Sequence, residues 1–272
     1  MYKAVFIDID GTLIKSDHSL SDLTIDTIKK IKALGIIVVL VSARPLHGIT
    51  AISQQLGLSD VPIASLNGSY IAQEDEVLYN CTINDDTLIR LYNDLLPYPV
   101  SIIYYDQMQW YSEEENKFTI NEQKITQVPI KISSFDQLSE LWKANNTGPN
   151  KLLVIGEEDV IKNIQSEVSP QYSDLLNMYT SKPIYLEVMD KAASKMEAIK
   201  FFMNKYNLLR EETIAIGDNF NDIEMIQYAG LGIAMGNAPE PVKKVAYFIT
   251  ETNNNDGVAK ALEEVFLNKN EH

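Results

Sequence analysis

Two aspartates two residues apart close the first apolar run of the chain. Asp8 and Asp10 end the segment KAVFIDID, and Gly11 follows them. In an extended strand, residues two apart project to the same side, so both carboxylates would face one substrate. One carboxylate can then attack an electrophile while the other protonates the leaving group. The alternative is a pair that only caps the following turn, which is uncommon after so apolar a run.

Ser42 and Lys195 each offer a group suited to an anion. Ser42 ends the run GIIVVLVS, and its hydroxyl and backbone N–H suit a phosphate oxygen at the approach to a helix. A helix N-cap is the alternative role of this serine. Lys195 follows the cap residue Ser194, where its charge opposes the helix dipole. An ammonium placed against this preference favours an anionic ligand, and an ordinary exposed lysine is the alternative.

Further acids lie in the segment GDNFND at 217–222, which follows the apolar run TIAI. Since parallel strands present their carboxyl ends at one edge of a sheet, Asp218 and Asp222 are expected beside Asp8. Carboxylates this close resist ionisation unless a cation lies between them. Oxygen ligands without cysteine or histidine nearby select a hard ion such as Mg²⁺. An Asx-turn loop is the alternative for this segment.

Short apolar runs alternate with helical patterns at both ends of the chain. The strand-like runs include 3–9, 35–41, 62–66 and 213–216. This alternation predicts an α/β fold with a doubly wound, mostly parallel sheet, a Rossmann-like core built from residues 1–82 and 185–272. Residues 83–184 are richer in Tyr, Asn and Gln, and they are predicted to form an inserted α/β cap domain.

Composition excludes several classes of protein. The chain has 272 residues, with 23 Lys and Arg against 38 Asp and Glu, for a formal net charge of −15. This excess of acid argues against nucleic acid as a partner. The single Cys81 excludes an internal disulfide framework. Without a signal segment or a run of about 18 apolar residues, a cytoplasmic protein with no membrane span is predicted. The oligomeric state is left open.

Four segments together resemble the motifs of the haloacid dehalogenase-like hydrolases. They are DIDGTL at 8–13, VSAR at 41–44, Lys195, and GDNFND at 217–222. Their order and spacing are similar to those of the Cof-type sugar-phosphatase branch, in which a class IIB α/β cap lies between the second and third motifs. Thr12 matches the phosphatase-type pattern, whereas Ala43 stands where this branch often has glycine.

The resemblance implies a role for each matching residue. Asp8 would be the nucleophile that forms an aspartyl-phosphate, and Asp10 would protonate the leaving alcohol and then deprotonate water. The implied phosphate-binding residues are Ser42, Ala43, Lys195 and Asn221. The implied Mg²⁺ ligands are Asp8, the backbone carbonyl of Asp10, and Asp218, while Asp222 would orient the metal's waters or Lys195. The candidate substrate contacts are Arg44, Asn67 and Gly68.

These residues predict a Mg²⁺-dependent phosphatase of small phosphorylated metabolites, with a cap that excludes bulk water and selects the substrate. Two alternatives remain. A phosphotransferase or phosphomutase would pass the same aspartyl-phosphate to a second sugar hydroxyl. A non-catalytic phospho-ligand sensor would need no acid beside the nucleophile, so the presence of Asp10 argues against it.

Overall fold

The computed structural model describes residues 1–126 and 128–267, and Gln127 and residues 268–272 of the predicted cap and core ranges lie outside the described residues. The strands are, in chain order, β1 (Ala4–Ile7), β2 (Ile37–Leu40), β3 (Ile63–Ser65), β4 (Tyr70–Gln73), β5 (Glu76–Asn80), β6 (Ser101–Asp106), β7 (Gln109–Ser112), β8 (Ile130–Ile132), β9 (Lys151–Ile155), β10 (Leu176–Lys182), β11 (Tyr185–Asp190), β12 (Thr213–Gly217), β13 (Leu231–Ala234) and β14 (Phe248–Ile249). The helices are α1 (Asp22–Ala33), α2 (His47–Gln55), α3 (Asp85–Leu95), α4 (Lys117–Thr126), α5 (Phe135–Asn145), α6 (Glu158–Glu167), α7 (Lys195–Tyr206), α8 (Ile223–Tyr228), α9 (Glu240–Lys243) and α10 (Gly257–Phe266).

The chain divides into two compact units. Unit 1 comprises Met1–Leu78 and Ser194–His272, and unit 2 comprises Tyr79–Ala193. The sequence had placed the second boundary at residue 185, nine residues before Ser194. Strand β11 accounts for the difference, because it pairs with β9 and β10 and so belongs to the sheet of unit 2.

The main sheet of unit 1 has five parallel strands in the order β14-β13-β12-β1-β2. The four longer strands have the sequences AVFI, IVVL, TIAIG and LGIA, and they are almost wholly buried. Runs this uniformly apolar are typical of parallel strands that are covered on both faces. The crossovers that parallel pairing requires are formed by helices, so the predicted α/β class with a parallel core sheet is confirmed.

Alternate side chains of β1 show how both faces are covered. Val5 and Ile7 belong to a core cluster with Ile28 of α1 and Val258 of α10. Phe6 points to the other face, since successive strand residues alternate, and its ring lies 5.9 Å from that of Phe202 in α7. Burial of both faces fixes the position of β1, and therefore of the residues that come after it.

The predicted strand at 62–66 is real but lies in a different sheet from the one expected. Strand β3 pairs antiparallel with β4 in a separate three-stranded sheet of order β3-β4-β5. Among the described residues, an isolated parallel bridge between Val41 and Ala64 links it to the main sheet. The short turn Leu66–Gly68 returns the chain from β3 to β4, so β4 pairs with one edge of β3, while the bridge to Val41 lies on the other edge.

Unit 2 contains a six-stranded sheet in the order β10-β11-β9-β6-β7-β8, with antiparallel pairing except between β7 and β8. Helices α3, α5 and α6 contribute Leu91, Trp142 and Ile161 to its core, together with Tyr104 of β6. Within the described residues, every helix is too short or too polar to cross a lipid bilayer.

Candidate active site

Three neighbouring strands of the main sheet end in the residues that sequence reasoning selected. Asp8 follows β1, Asp218 follows β12, and Ser42 lies two residues after β2. The order β12-β1-β2 places β1 between the other two, so these ends lie at one edge of the sheet. The Asp8 N–H donates to the Ile216 carbonyl at 3.0 Å, which continues the ladder up to the aspartate itself.

A cluster of carboxylates occupies this edge. Single oxygens of Asp8, Asp218 and Asp222 all lie within 4.8 Å of one another. Asp8 and Asp222 are buried, with 4% and 0% of their surface exposed. Desolvation, helped by repulsion from Asp222 and Asp218, raises the pKa of Asp8 to about 8 against the attraction of Lys195. Desolvation likewise raises the pKa of Asp218 to about 6. The charged form of this cluster therefore needs positive charge.

Lys195 supplies part of that charge. Its Nζ lies 2.6 Å from Asp8 Oδ1 and 2.5 Å from Asp222 Oδ1, and the side chain is buried. Burial opposes the ammonium form, but the attraction of Asp222 and Asp8 outweighs it and raises the pKa of Lys195. Among the described residues, Lys195 forms the cluster's ion pairs, so three carboxylates face one ammonium.

Asp222 closes its own loop as well as contacting Lys195. Its Oδ2 accepts the backbone N–H groups of Asp218 and Asn219, each at 2.9 Å. These two bonds fix the loop that begins at the end of β12, and so they fix the Asp218 carboxylate in the cluster. The resemblance implies that Asp222 orients either the metal's waters or Lys195, and the structure places its carboxylate in contact with Lys195.

The Asp10 side chain lies outside the carboxylate cluster and pairs with Arg44 instead. Arg44 Nε and Nη2 donate to the two oxygens of Asp10 at 2.7 and 2.6 Å. The buried Ser42 Oγ accepts the Arg44 backbone N–H at 3.2 Å. Ala43 lies between these two residues and is half-buried. Sequence reasoning selected Arg44 as a substrate contact and did not anticipate this ion pair.

Asn67, Gly68 and Asn221 lie in loops that contact one another or α7. Asn221 Nδ2 donates to Asn67 Oδ1 at 3.0 Å, and Asn67 has a left-handed backbone with φ of 55°. A Cβ on Gly68 would lie 2.6 Å from the Ser194 carbonyl oxygen. Glycine at this position therefore lets the loop pack against the start of α7, the helix that begins with Lys195.

Gly11, Thr12 and Asn237 also hold the site, and the sequence prediction gave them no site role. Thr12 Oγ1 donates to Asp218 Oδ1 at 2.9 Å. Asn237 Nδ2 donates to the Gly11 carbonyl at 2.8 Å and to Asp218 Oδ2 at 3.2 Å. Asp8 comes just beyond the end of a core strand, which is the position that marks a candidate site residue. The same rule locates Asn237, which comes three residues after β13.

The donor set fits a hard divalent cation. Asp8, Asp218 and Asp222 offer only oxygen, and the cluster carries more negative than positive charge in a largely buried setting. Mg²⁺ prefers carboxylate and carbonyl oxygens, and it would supply the charge that the raised pKa values of Asp8 and Asp218 show to be missing.

Comparison with known proteins identifies the family of this chain. A family model described as haloacid dehalogenase-like hydrolase matches residues 5–262. A Haemophilus influenzae protein whose name includes the word phosphatase is 36% identical over 268 residues, which cover 98% of this chain and 99% of that protein. The 5-amino-6-(5-phospho-D-ribitylamino)uracil phosphatase YcsE of Bacillus subtilis is 30% identical, and the match covers 96% of this chain and 94% of that protein. A crystal structure of a haloacid dehalogenase-like hydrolase from Bacteroides thetaiotaomicron superposes with a TM-score of 0.83 at 31% identity, covering 98% of this chain and 100% of that one.

Proposed function

This chain belongs to the haloacid dehalogenase-like hydrolases and is a phosphoric monoester hydrolase. We propose that it hydrolyses small phosphorylated metabolites. In this proposal the reaction passes through an aspartyl-phosphate on Asp8, and Mg²⁺ is the cofactor. One observation carries the proposal. The buried Asp8 carboxylate, at the end of the central strand, contacts Lys195 Nζ at 2.6 Å and lies beside Asp218 and Asp222. A nucleophile, a phosphate-binding cation and metal ligands thus share one edge of the sheet.

The reaction takes two displacements. In the first, an Asp8 oxygen forms a bond to phosphorus, the bond from phosphorus to the ester oxygen breaks, and Asp10 gives its proton to that oxygen. In the second, a water oxygen attacks the same phosphorus, Asp10 takes up the water proton, and the bond from Asp8 to phosphorus breaks. The net change is ester plus water to alcohol plus phosphate, and both carboxyl groups return to their starting state.

Lys195 and Ser42 are placed to hold the phosphoryl oxygens during both steps. Lys195 Nζ already bonds to Asp8, so a phosphoryl group on that carboxylate would lie beside the ammonium. The Ser42 hydroxyl lies at the end of the neighbouring strand, and the Asn221 amide is carried by the loop of Asp218. Such fixed donors stabilise the charge that spreads over the phosphoryl oxygens in the transition state.

Asp8, Asp218 and the Asp10 carbonyl are the proposed Mg²⁺ ligands, with Asp222 beside them. When bound, the ion neutralises carboxylate and phosphate charge that would otherwise repel. Without a cation, burial raises the pKa of Asp8 to about 8. Added positive charge lowers the pKa of a carboxyl group, so the cation would keep Asp8 in the ionised form that attacks phosphorus.

The substrate class rests on the relatives and on charge. The name of YcsE gives that protein a phosphorylated ribitylamino-uracil as substrate. We extend to this chain the coarse class only, a small soluble phosphate ester. A formal net charge of −15 disfavours nucleic acid as the phosphate source. Unit 2, inserted between Leu78 and Ser194, is proposed to be the predicted cap domain.

Substitution of the nucleophile tests the proposal. Asp8→Asn should lower the hydrolysis of 4-nitrophenyl phosphate in Mg²⁺ by about 10³-fold or more, as removal of a covalent nucleophile does elsewhere. Asp26→Asn, which makes the same charge change at an exposed site on α1, is the control and should have no effect. Wild-type turnover by Asp8→Asn would refute the assignment. Release of inorganic phosphate, rather than its transfer to an added sugar, separates a hydrolase from a phosphotransferase.

A further inference from the structure

Arg44 and Asp10 form an ion pair with two parallel hydrogen bonds. Nε donates to Oδ2 at 2.7 Å and Nη2 donates to Oδ1 at 2.6 Å. Paired bonds of this kind set the plane of a carboxylate as well as its distance. The side chains of Arg44 and Asp10 are 28% and 50% exposed, so solvent screens the pair and it adds little to folding stability. The orientation imposed on Asp10 is therefore its main consequence.

Arg44 is itself held in place by the loops around it. Its backbone N–H donates to Ser42 Oγ at 3.2 Å, and its carbonyl accepts the Leu66 N–H at 3.0 Å. Nη1 donates to the Gly48 carbonyl in α2 at 3.3 Å. Of the five guanidinium N–H groups, three donate to partners in the described part of the chain, which leaves two for any other ligand. Arg44 is better placed to fix Asp10 than to bind a phosphate.

We propose that Arg44 is a positioning residue, which orients the Asp10 carboxyl group for proton transfer to the ester oxygen and from water. This inference rests on the function proposed above. Each transfer requires one Asp10 oxygen within about 2.6–3.2 Å of the oxygen that gains or loses the proton. Each Asp10 oxygen has a second lone pair, so the reacting oxygen can carry the proton while both bonds to Arg44 are kept. Without the guanidinium, an exposed aspartate rotates about its side-chain bonds and meets this distance only part of the time.

The leaving group of the substrate distinguishes this role from others. Phenyl phosphate releases a phenol that needs a proton, since the pKa of a phenol is about 10. 4-Nitrophenyl phosphate has almost the same shape, but its leaving group departs readily as the anion. In Arg44→Met, kcat/KM should fall about 10–100-fold for phenyl phosphate, a part of the 10²–10⁴-fold that general acids contribute. For 4-nitrophenyl phosphate the fall should be less than about 3-fold, because proton donation matters little there.

A double-mutant cycle shows whether Arg44 acts through Asp10. In an Asp10→Asn background, adding Arg44→Met should cause no further loss with phenyl phosphate, because the group that Arg44 positions is already inactive. If Arg44 bound the substrate directly, its removal would cost the same in both backgrounds. Independent additive losses would therefore overturn the proposal.

Two further variants separate orientation from charge and from folding. Arg44→Lys keeps the positive charge but loses the two parallel hydrogen bonds to the Asp10 carboxylate, so it should resemble Arg44→Met. Full activity in Arg44→Lys would overturn the proposal. Arg210→Met is the matched control, because Arg210 also donates from Nε and Nη2, in its case to the Tyr228 and Gln227 carbonyls. It should leave the ratio of the two substrates unchanged.

Binding of inorganic phosphate as a competitive inhibitor gives a readout independent of turnover. Its inhibition constant should stay within about 2-fold in Arg44→Met, since each direct charge-assisted bond to phosphate would cost more than that. Equal losses on both aryl phosphates together with weaker phosphate inhibition would show that Arg44 is a substrate contact. If the unaltered chain released no phosphate from either ester in Mg²⁺, the proposed function would fail and this inference with it.

Discussion

Replacing Gly11 with alanine should damage the proposed metal site far more than the fold. Gly11 follows Asp10 and has a left-handed backbone with φ of +79°. A Cβ built on it would lie 2.3 Å from Oδ2 of Asp218, 2.8 Å from Cγ and 2.9 Å from Oδ1. Rotation of the carboxylate does not relieve this contact, because all three of its atoms are too close. The whole Asp218 side chain has to move.

The size of the movement can be worked out from these distances. Ordinary van der Waals contacts begin at 3.4 Å, so Oδ2 has to retreat by about 1.1 Å (3.4 − 2.3). Asp218 also accepts bonds from Thr12 and Asn237 at 2.9 and 3.2 Å, and these would break or stretch. A displacement of about 1 Å at a reacting centre can cost about 10²-fold in rate. We expect kcat/KM for 4-nitrophenyl phosphate to fall by that order.

Gly35 provides a matched control for backbone strain. It has a similar φ of +83°, in the turn between α1 and β2, but no atom of residues 1–126 or 128–267 lies within 4 Å of a Cβ placed there. Alanine at either position costs about 1 kcal/mol of left-handed strain, which lowers the melting midpoint by about 2–4 °C in a unit of this size. Only Gly11→Ala adds the collision with Asp218, so only this variant should lose activity.

The assay measures hydrolysis rate against Mg²⁺ concentration, with a thermal melt on the same samples. Gly11→Ala should need about 10–100-fold more Mg²⁺ for half-maximal rate, the range seen when the support of a metal ligand is removed. Gly35→Ala should match the unaltered chain in both rate and Mg²⁺ requirement. The reasoning would be refuted by a Gly11→Ala enzyme within about 3-fold of normal kcat/KM at low Mg²⁺, or by equal losses in the two variants.

Two other predictions concern the charges of the site. Burial raises the folded-state pKa values of Asp8 and Asp218 from 3.8 to about 8 and about 6, so protonation of these groups favours the folded chain. The melting midpoint in EDTA should therefore fall as the pH rises from about 5 to about 8. Mg²⁺ should raise the midpoint more at the upper end of that range, and a midpoint in EDTA that rises with pH would contradict this assignment. Lys195→Met should lower the free energy of unfolding by about 3–5 kcal/mol, measured with urea, because it leaves buried carboxylates unpaired. Lys3→Met, which removes the ion pair between an exposed lysine and the half-buried Glu212, should lower it by less than about 1 kcal/mol, and equal losses would contradict the buried pairing.

The parts of the site that the sequence could predict are those fixed by strand ends. The runs before Asp8 and Asp218 are continuous in apolar residues, and such runs become buried parallel strands whose carboxyl ends share one edge. Position along the chain therefore determines position in space for these residues. The family that the four motifs resembled was confirmed by the match over residues 5–262, and three of those motifs lie at strand ends, whereas Lys195 begins a helix.

Side-chain partners were harder to predict, because they depend on distances that the whole fold sets. Nothing local to Asp10 indicates that its partner is Arg44, 34 positions away, or that Asn237 supports Asp218. The sheet of β3 was also missed, because a strand of only three residues fits a ladder with either the main sheet or β4. Pairing in such cases is decided by the turn after the strand, whose geometry is set at Leu66 and Asn67.

Lys195 shows why a residue that breaks a local rule can be more informative than one that obeys it. A cation at the first position of a helix costs about 0.3–1 kcal/mol against the helix dipole. Leaving the buried Asp8 and Asp222 without the ammonium that pairs with both would cost about 3–5 kcal/mol. The second quantity is several times the first, so the ion pairs at 2.6 and 2.5 Å outweigh the unfavourable helix position. The local penalty identifies Lys195 as a residue retained for contacts made far along the chain, and those contacts are the ones that the proposed phosphoryl transfer requires.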